Sequence, residues 1–299
     1  MTARTAIIMG MAGCAACLLL APGAEAYTAA GDRIFPATVL LPQIGPSDEF
    51  YITGSTLPQN TGAGTAGGRS SNLTAVFDKT ITDRLSALAT ESYSWQRQGG
   101  GISPSGLQNF NFALQYLAVL DQPHEFLFSV GVEREFGGTG AARVGASDEG
   151  ATTPAFFFGK GLGDLDIGYF RPLAFSGTFG YQFSDGGLRP SSVQSGLAIE
   201  YSIPYLESKV DAVPLPSFLR AMTPMIEMQF SNPVGNSFGQ ASTALIGAGF
   251  NYSGQGWDLG VEALVPATHA TGRGAGFTVQ LHLSLDYLAP SSIGQPLFP

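Results

Sequence analysis

The residues best equipped for chemistry lie near the carboxyl end, where His282, Ser284 and Asp286 recur at every second position. A base, a hydroxyl and a carboxylate on one strand face invite comparison with a nucleophilic triad. Neighbours two apart on a strand face stand roughly 6.6–7 Å apart at Cα. A proton relay needs side chains within about 3.2 Å. The spacing argues against catalysis, and the chain is expected not to be an enzyme. Metal ligation is poorly supported too. The histidines His124, His269 and His282 fall in three separate segments, and Cys14 and Cys17 lie at the extreme amino end, so no zinc-type spacing arises. Gly159-Lys160-Gly161-Leu162-Gly163-Asp164 lacks the GxxxxGK(S/T) pattern of a phosphate loop, and no helical pattern follows it. It reads as a glycine-rich turn, and no cofactor is expected.

A larger polar set remains: Asn109, Asn111, Gln115, Glu125, Glu133, Glu135, Glu200, Glu227, Gln229, Glu262, Gln280, His282 and Asp286. Acidic groups dominate it, whereas most Arg and Lys fall at segment ends or in turns, as at Arg84, Lys160, Arg171, Arg189, Lys209, Arg220 and Arg273. Lining a pore, such carboxylates favour cations. Paired with the few arginines or with water, they would serve strength alone. The sequence leaves both readings open.

The elements that must position this set show period two. Phe110, Phe112, Leu114, Tyr116, Ala118 and Leu120 alternate with Asn109, Asn111, Ala113, Gln115 and Leu117. Phe126, Phe128, Val130 and Val132 alternate with Glu125, Leu127, Ser129, Gly131 and Glu133. Phe277, Val279, Leu281, Leu283, Leu285 and Tyr287 alternate with Thr278, Gln280, His282, Ser284 and Asp286. Successive strand side chains point to opposite faces, so each segment has an apolar face and a polar or small one. About twelve strands are expected (range 10–14), over 49–56, 71–81, 83–96, 107–120, 123–136, 153–160, 173–184, 192–204, 219–231, 240–253, 256–266 and 275–287. The sixth rests on Phe156-Phe157-Phe158. Alternate connections are long and rich in Gly, Ser and Asn (57–70, 97–106, 137–152, 185–191, 232–239, 267–274). Of the others, those at Thr82, Asp121-Gln122 and Gly254-Gln255 are very short, while 161–172 and 205–218 are longer.

Composition says which solvent the apolar faces meet. Only 12% of residues are charged, against about 25% in soluble domains. Gly is 40 of 299, nearly twice the usual ~7%. The net charge of -9 and the scarcity of lysine (Lys79, Lys160, Lys209) exclude nucleic acid as a partner. No run of 18 apolar residues marks a membrane helix. A secreted sandwich would explain the alternation, but not the low charge or the uneven loops. In hydrocarbon every backbone donor and acceptor must be paired, so a sheet there must close. The expected fold is all-β, a transmembrane antiparallel up-and-down barrel, with long loops on one rim and short turns on the other. Tyr93, Trp95, Tyr201, Tyr252, Trp257 and Tyr287 fit interface girdles. Glu91 is a misfit, sharing a face with Leu85, Ala87, Ala89 and Tyr93. Proximity to the interface, or a bulge, would accommodate it.

Residues 1–26 read as a secretory signal. Arg4 supplies the basic start, Ile7 to Ala21 the apolar run, and Ala24-Glu25-Ala26 the cleavage site before Tyr27. Met11-Ala12-Gly13-Cys14 faintly resembles a lipid-attachment box, but the apolar stretch ahead of it is very short. Cleavage leaves a mature chain without cysteine. Residues 27–48 are expected to form a periplasmic N-terminal segment, 49–288 the barrel and 289–299 a tail.

Several runs resemble one family. Ile81-Thr82-Asp83-Arg84-Leu85-Ser86, Phe158-Gly159-Lys160-Gly161-Leu162-Gly163-Asp164-Leu165, Arg171-Pro172-Leu173-Ala174 and Gly260-Val261-Glu262-Ala263-Leu264-Val265-Pro266 are similar to outer-membrane barrels of the transporter-like, phenol-degradation meta-pathway type. Gln280-Leu281-His282 and Ser292-Ile293-Gly294-Gln295-Pro296-Leu297-Phe298 resemble the end of that group. The similarity spans most of 49–299. It implies an outer-membrane barrel that passes or binds small, hydrophobic compounds. The expectation is a passive channel or uptake barrel with an acidic polar lumen. Membrane lipid, lipopolysaccharide and the barrel-assembly machinery would be its partners, with Tyr287 or Phe298 as assembly signal. The alternative is a closed structural barrel serving as a partner platform in an envelope complex.

Overall fold

The computed structural model describes residues 28–59, 68–97, 103–187, 189–235 and 239–298. The expected signal segment lies outside the described residues. Twelve long strands follow one another: β1 Glu49–Gln59, β2 Gly68–Thr82, β3 Leu85–Arg97, β4 Asn111–Asp121, β5 Phe126–Glu135, β6 Ala151–Gly161, β7 Leu173–Ser184, β8 Ser191–Tyr201, β9 Met222–Val234, β10 Thr243–Ser253, β11 Trp257–Pro266 and β12 Gly276–Ser284. Each pairs antiparallel with the next. The last also pairs with the first, Phe277 opposite Thr56 and Ser284 opposite Glu49, so the sheet closes into a barrel. Closure leaves no edge with unpaired backbone groups, which is what a hydrocarbon surround demands.

The alternation holds. Phe112, Leu114, Tyr116, Val130, Val132, Phe156, Phe179, Phe277, Val279 and Leu281 are exposed on the outer face. Gln115, Ser129, Glu200, Glu227, Asn251, Glu262, Gln280 and His282 are buried on the inner one. Rings meet near the ends of the outer face, as at Tyr93–Trp95 and Tyr252–Trp257, each pair 5.9 Å between centroids.

Three local departures from the expected pattern have visible causes. A bulge in β4 sets Leu117 opposite Ser129 but Val119 opposite Phe128. Leu120, expected outward, therefore turns inward opposite Leu127 and joins the buried cluster of Phe35, Ile44 and Leu117. An inserted residue reverses every later side chain. Second, β12 stops at Ser284. Leu285 donates to the Asp48 carbonyl (2.9 Å), and Leu285–Leu288 forms a helical turn. Third, β4 begins at Asn111 because Ser105–Leu107 pairs separately with Tyr93–Trp95. Glu91 does face outward, opposite Ala75, and its carboxylate folds back to accept from the Ser92 amide at 3.0 Å.

The sequence placed 27–48 ahead of the barrel, in the periplasm. In the structure residues 28–48 run inside the barrel wall. Ala29–Ala30 pairs with Arg33–Ile34 around Gly31, whose φ of +63° is the left-handed region where glycine carries no Cβ penalty. A Cβ there would also stand 2.2 Å from the Gln122 carbonyl oxygen of the adjacent short turn. From this rim the segment rises to Pro42 and returns to Asp48. Phe35, Val39, Leu41 and Ile44 are all buried. Burying a side chain of that size contributes about 1.5–3 kcal/mol. The wall opposite is built to receive them: a Cβ on Gly159 would meet Ile44, on Gly196 Leu41, on Gly247 Leu40 and on Gly260 Val39. These four inward glycines seat aliphatic side chains of the segment, Gly247 beside the Glu262 carboxylate.

Candidate functional site: the barrel interior

Two anchors hold the inserted segment. At its tip Glu227, on β9, accepts from the backbone amides of Val39 (2.6 Å), Leu40 (3.0 Å) and Leu41 (3.0 Å). Gln115 donates to the Gln43 carbonyl at 2.9 Å. At its base the buried guanidinium of Arg33 reaches the Glu125 carboxylate (3.4 Å) and the carbonyls of Pro172 (3.1 Å) and Leu173 (3.2 Å). It also lies over the Tyr205 ring, 4.1 Å from its centroid. Tyr205 sits in the connection after Tyr201, where Ser202 accepts from its amide and starts a helical turn. Its hydroxyl donates to Glu125 at 2.7 Å. Burial first, then this bond to a carboxylate, pushes the phenol up to about 12.

The interior is thereby divided. Towards the short-turn end the segment fills the lumen, and His282 lies fully buried there. Its Nε2 stands 2.6 Å from Glu49 and its Nδ1 3.7 Å from Asp258. Ser284 instead donates to Asp286 at 2.5 Å, and Asp286 lies beyond the strand in the helical turn. His282 thus pairs away from the other two, whereas Ser284 and Asp286 do meet, because the chain leaves the strand after Ser284. Burial raises the Asp286 carboxyl above the usual carboxylate range.

Towards the long-loop end the lumen opens into a cavity of ≈ 360 Å³, floored by Pro42 and Gln43 of the inserted segment. Its walls mix Leu88, Phe157 and Leu245 with the amides of Gln115, Gln194 and Gln229, and Glu133 is the carboxylate among its lining residues.

The thirteen residues singled out from sequence therefore divide by level. Gln115, Glu133 and Gln229 line the cavity. Glu135 pairs with Arg189 (2.7 Å) and accepts from Asn109 (2.7 Å), and Asn111 donates to the Asn109 carbonyl (3.2 Å), so these three brace the long-loop rim. Glu200, Glu227 and Glu262 lie buried at the level of the inserted segment. Gln280 donates to Thr53 within the wall at 3.0 Å. Glu125 lies in the short-turn rim and Asp286 outside the strands, so neither lines the open part of the lumen. Arg33, Tyr205 and the cavity's Leu88, Phe157 and Leu245 were not among the candidates. Phe157 was detectable, since strict alternation through Phe156-Phe157-Phe158 turns its ring inward.

No protein-family profile matches the chain, and no curated protein matches it. Among solved structures, an outer-membrane channel from Pseudomonas putida F1 matches with a TM-score of 0.56 at 11% identity, over 84% of this chain and 99% of that one. The KdgM porin matches with a TM-score of 0.48 at 10% identity, over 79% and 98%. By the first likeness, and by the closure and alternation described above, the fold is that of outer-membrane β-barrels.

Proposed function

We propose that this chain is an outer-membrane barrel for the passive uptake of small, partly apolar molecules, which enter at the long-loop rim and lodge above Pro42 and Gln43. The observation that carries the reading is the ≈ 360 Å³ cavity inside the barrel mouth. It falls within the roughly 300–1,000 Å³ usual for small-molecule sites. Phe157, Leu88 and Leu245 suit an apolar body, and three glutamine amides suit one or two hydrogen-bonding groups on it. Glu133 disfavours an anionic solute. The resemblance to barrels linked with hydrophobic compounds supports the same class. The long loops then face outward and both chain ends face the periplasm, reached by export through the cleaved leader 1–26. Lipid and lipopolysaccharide meet the apolar outer face, and the barrel-assembly machinery inserts the chain.

A Phe157→Trp variant tests this. Its emission is expected to be quenched saturably by a brominated alcohol, and Leu245→Glu to weaken that quenching at least tenfold. Vesicles holding the wild type should take up the alcohol faster than empty ones. Linear, unsaturable quenching and unchanged uptake overturn the reading. A second reading, a closed barrel serving as partner platform, draws on the filled lower lumen and on the exposed Ile167, Tyr169 and Phe218 in the two longer turns. Co-purification of a stoichiometric periplasmic protein, lost when 205–218 is altered, would support it.

A further inference from the structure

The wall behind the inserted segment keeps more hydrogen-bonding capacity than that segment uses. Asn251 is 1% exposed, and neither its Oδ1 nor its Nδ2 has a partner. The same is true of Oε1 of Glu200 and of the hydroxyls of Ser129, Ser176 and Thr278, all buried. In settled protein interiors most buried polar side-chain atoms are paired. A wall shaped only to hold Phe35, Val39 and Leu41 would be apolar there. This one sets glycine seats among carboxylates and hydroxyls. Strand register places Glu49, Asp78, Glu200, Glu227, Asp258 and Glu262 on the inner face. Among the described strand positions that face inward there is no lysine or arginine. Among the described residues, the cations that reach this level pair with or belong to the inserted segment: Arg33 is part of it, and Lys79 pairs with its Asp48.

We propose that residues 28–48 are a displaceable plug and that the wall they cover is a cation-conducting path. Glu227 has two roles in it. With the plug seated, its carboxylate is occupied by three backbone amides. With the plug gone, it joins the acidic lining. Inward carboxylates select cations, and the vacated glycine seats provide the width. The proposal rests on the channel reading and assigns a second permeant class to the same barrel.

The test locks the plug to the wall. A Cβ built on Gly260 stands 3.9 Å from the Val39 Cβ, within the roughly 3.5–4.5 Å of a disulfide. The full-length Val39→Cys/Gly260→Cys protein, once processed, is expected to carry no other thiol. In planar bilayers in KCl, reduction should raise its current at least tenfold over the oxidised form. Each single variant should be indifferent to reductant. Under a KCl gradient the reversal potential of the reduced form should take the sign of cation passage. Glu200→Gln with Glu262→Gln should at least halve the cation preference. Gel mobility of unboiled samples verifies that each variant is a closed barrel. An independent variant, Glu227→Ala, should raise open probability at least tenfold without any disulfide. Equal currents in the oxidised and reduced forms, or an anion-sign potential, overturn the proposal. If ions do not pass in any form while vesicles still take up the brominated alcohol, the plug proposal fails and the channel reading stands.

Discussion

Glu227 and Leu41 stand 186 positions apart in the chain, yet the carboxylate of one accepts from the backbone amide of the other at 3.0 Å. With the amides of Val39 and Leu40 on the same carboxylate, the wall grips the inserted segment at its tip.

Hydrogen bonds to a charged group contribute about 1.5–3 kcal/mol each when well made, though not additively. Glu227→Ala is expected to lower the local stability of the tip by about 2–3 kcal/mol. Amide exchange at Val39, Leu40 and Leu41 should then accelerate by roughly 30–150-fold, while amides of β7 and β8 keep their wild-type rates.

The base of the segment should respond differently. Arg33→Met leaves Glu125 buried without its cation and deprives three carbonyls of a donor. Breaking a buried pair on one side costs about 3–5 kcal/mol. The variant's thermal transition, followed by gel mobility, should fall. Adding Glu125→Gln should recover part of the loss, since both charges are then gone. Full loss in the double variant would mean that the carbonyl contacts outweigh the ion pair.

Shape complementarity gives a third expectation. A Cβ on Gly196 would lie 2.2 Å from Cδ2 of Leu41. Overpacking of this kind costs about 1–3 kcal/mol. Gly196→Ala should destabilise the seated segment, and Leu41→Ala in the same chain should relieve it. A double-variant cycle measures the coupling, and additive effects would show that the two do not touch.

The Tyr205 phenol offers a pH test. Its folded value is raised from 10.0 to about 12, so its share of stability is fully present below pH 10 and is lost as pH rises through about 12. Ultraviolet titration of the folded protein should show a late-ionising component that shrinks by one tyrosine in Tyr205→Phe. Titration of all tyrosines below pH 11 would contradict the buried bond to Glu125.

Much of the wall was legible because a barrel strand declares itself locally. Alternation from Phe277 to Ser284 is enough to assign both faces of β12, and Gly254-Gln255 is enough to mark a turn. The faces went wrong at the β4 bulge, which no residue type near Ala118 signals, and beyond Ser284, where the chain leaves the strand. The interior was harder to read. Arg33 meets Glu125 across 92 positions and the Pro172 carbonyl across 139, and the pairing depends on the barrel's curvature, which period two does not encode. The carboxylates were placed on the correct face, but what they face is another stretch of the same chain. The one local trace was the glycine at inward positions such as Gly196, Gly247 and Gly260, which marks places where something else must come close.

The inserted segment also constrains the order of events in biogenesis. Residues 28–48 precede every barrel strand, yet their seats lie on β6, β8, β10 and β11 and their tip anchor on β9. Forming contacts of such high sequence separation is slow, because chain-closure entropy is lost before any contact compensates it. The segment that precedes every barrel strand is therefore among the last to find its place. Until β9 to β11 are in the wall, the tip anchor at Glu227 and the seats at Gly247 and Gly260 do not yet exist for the segment to fill.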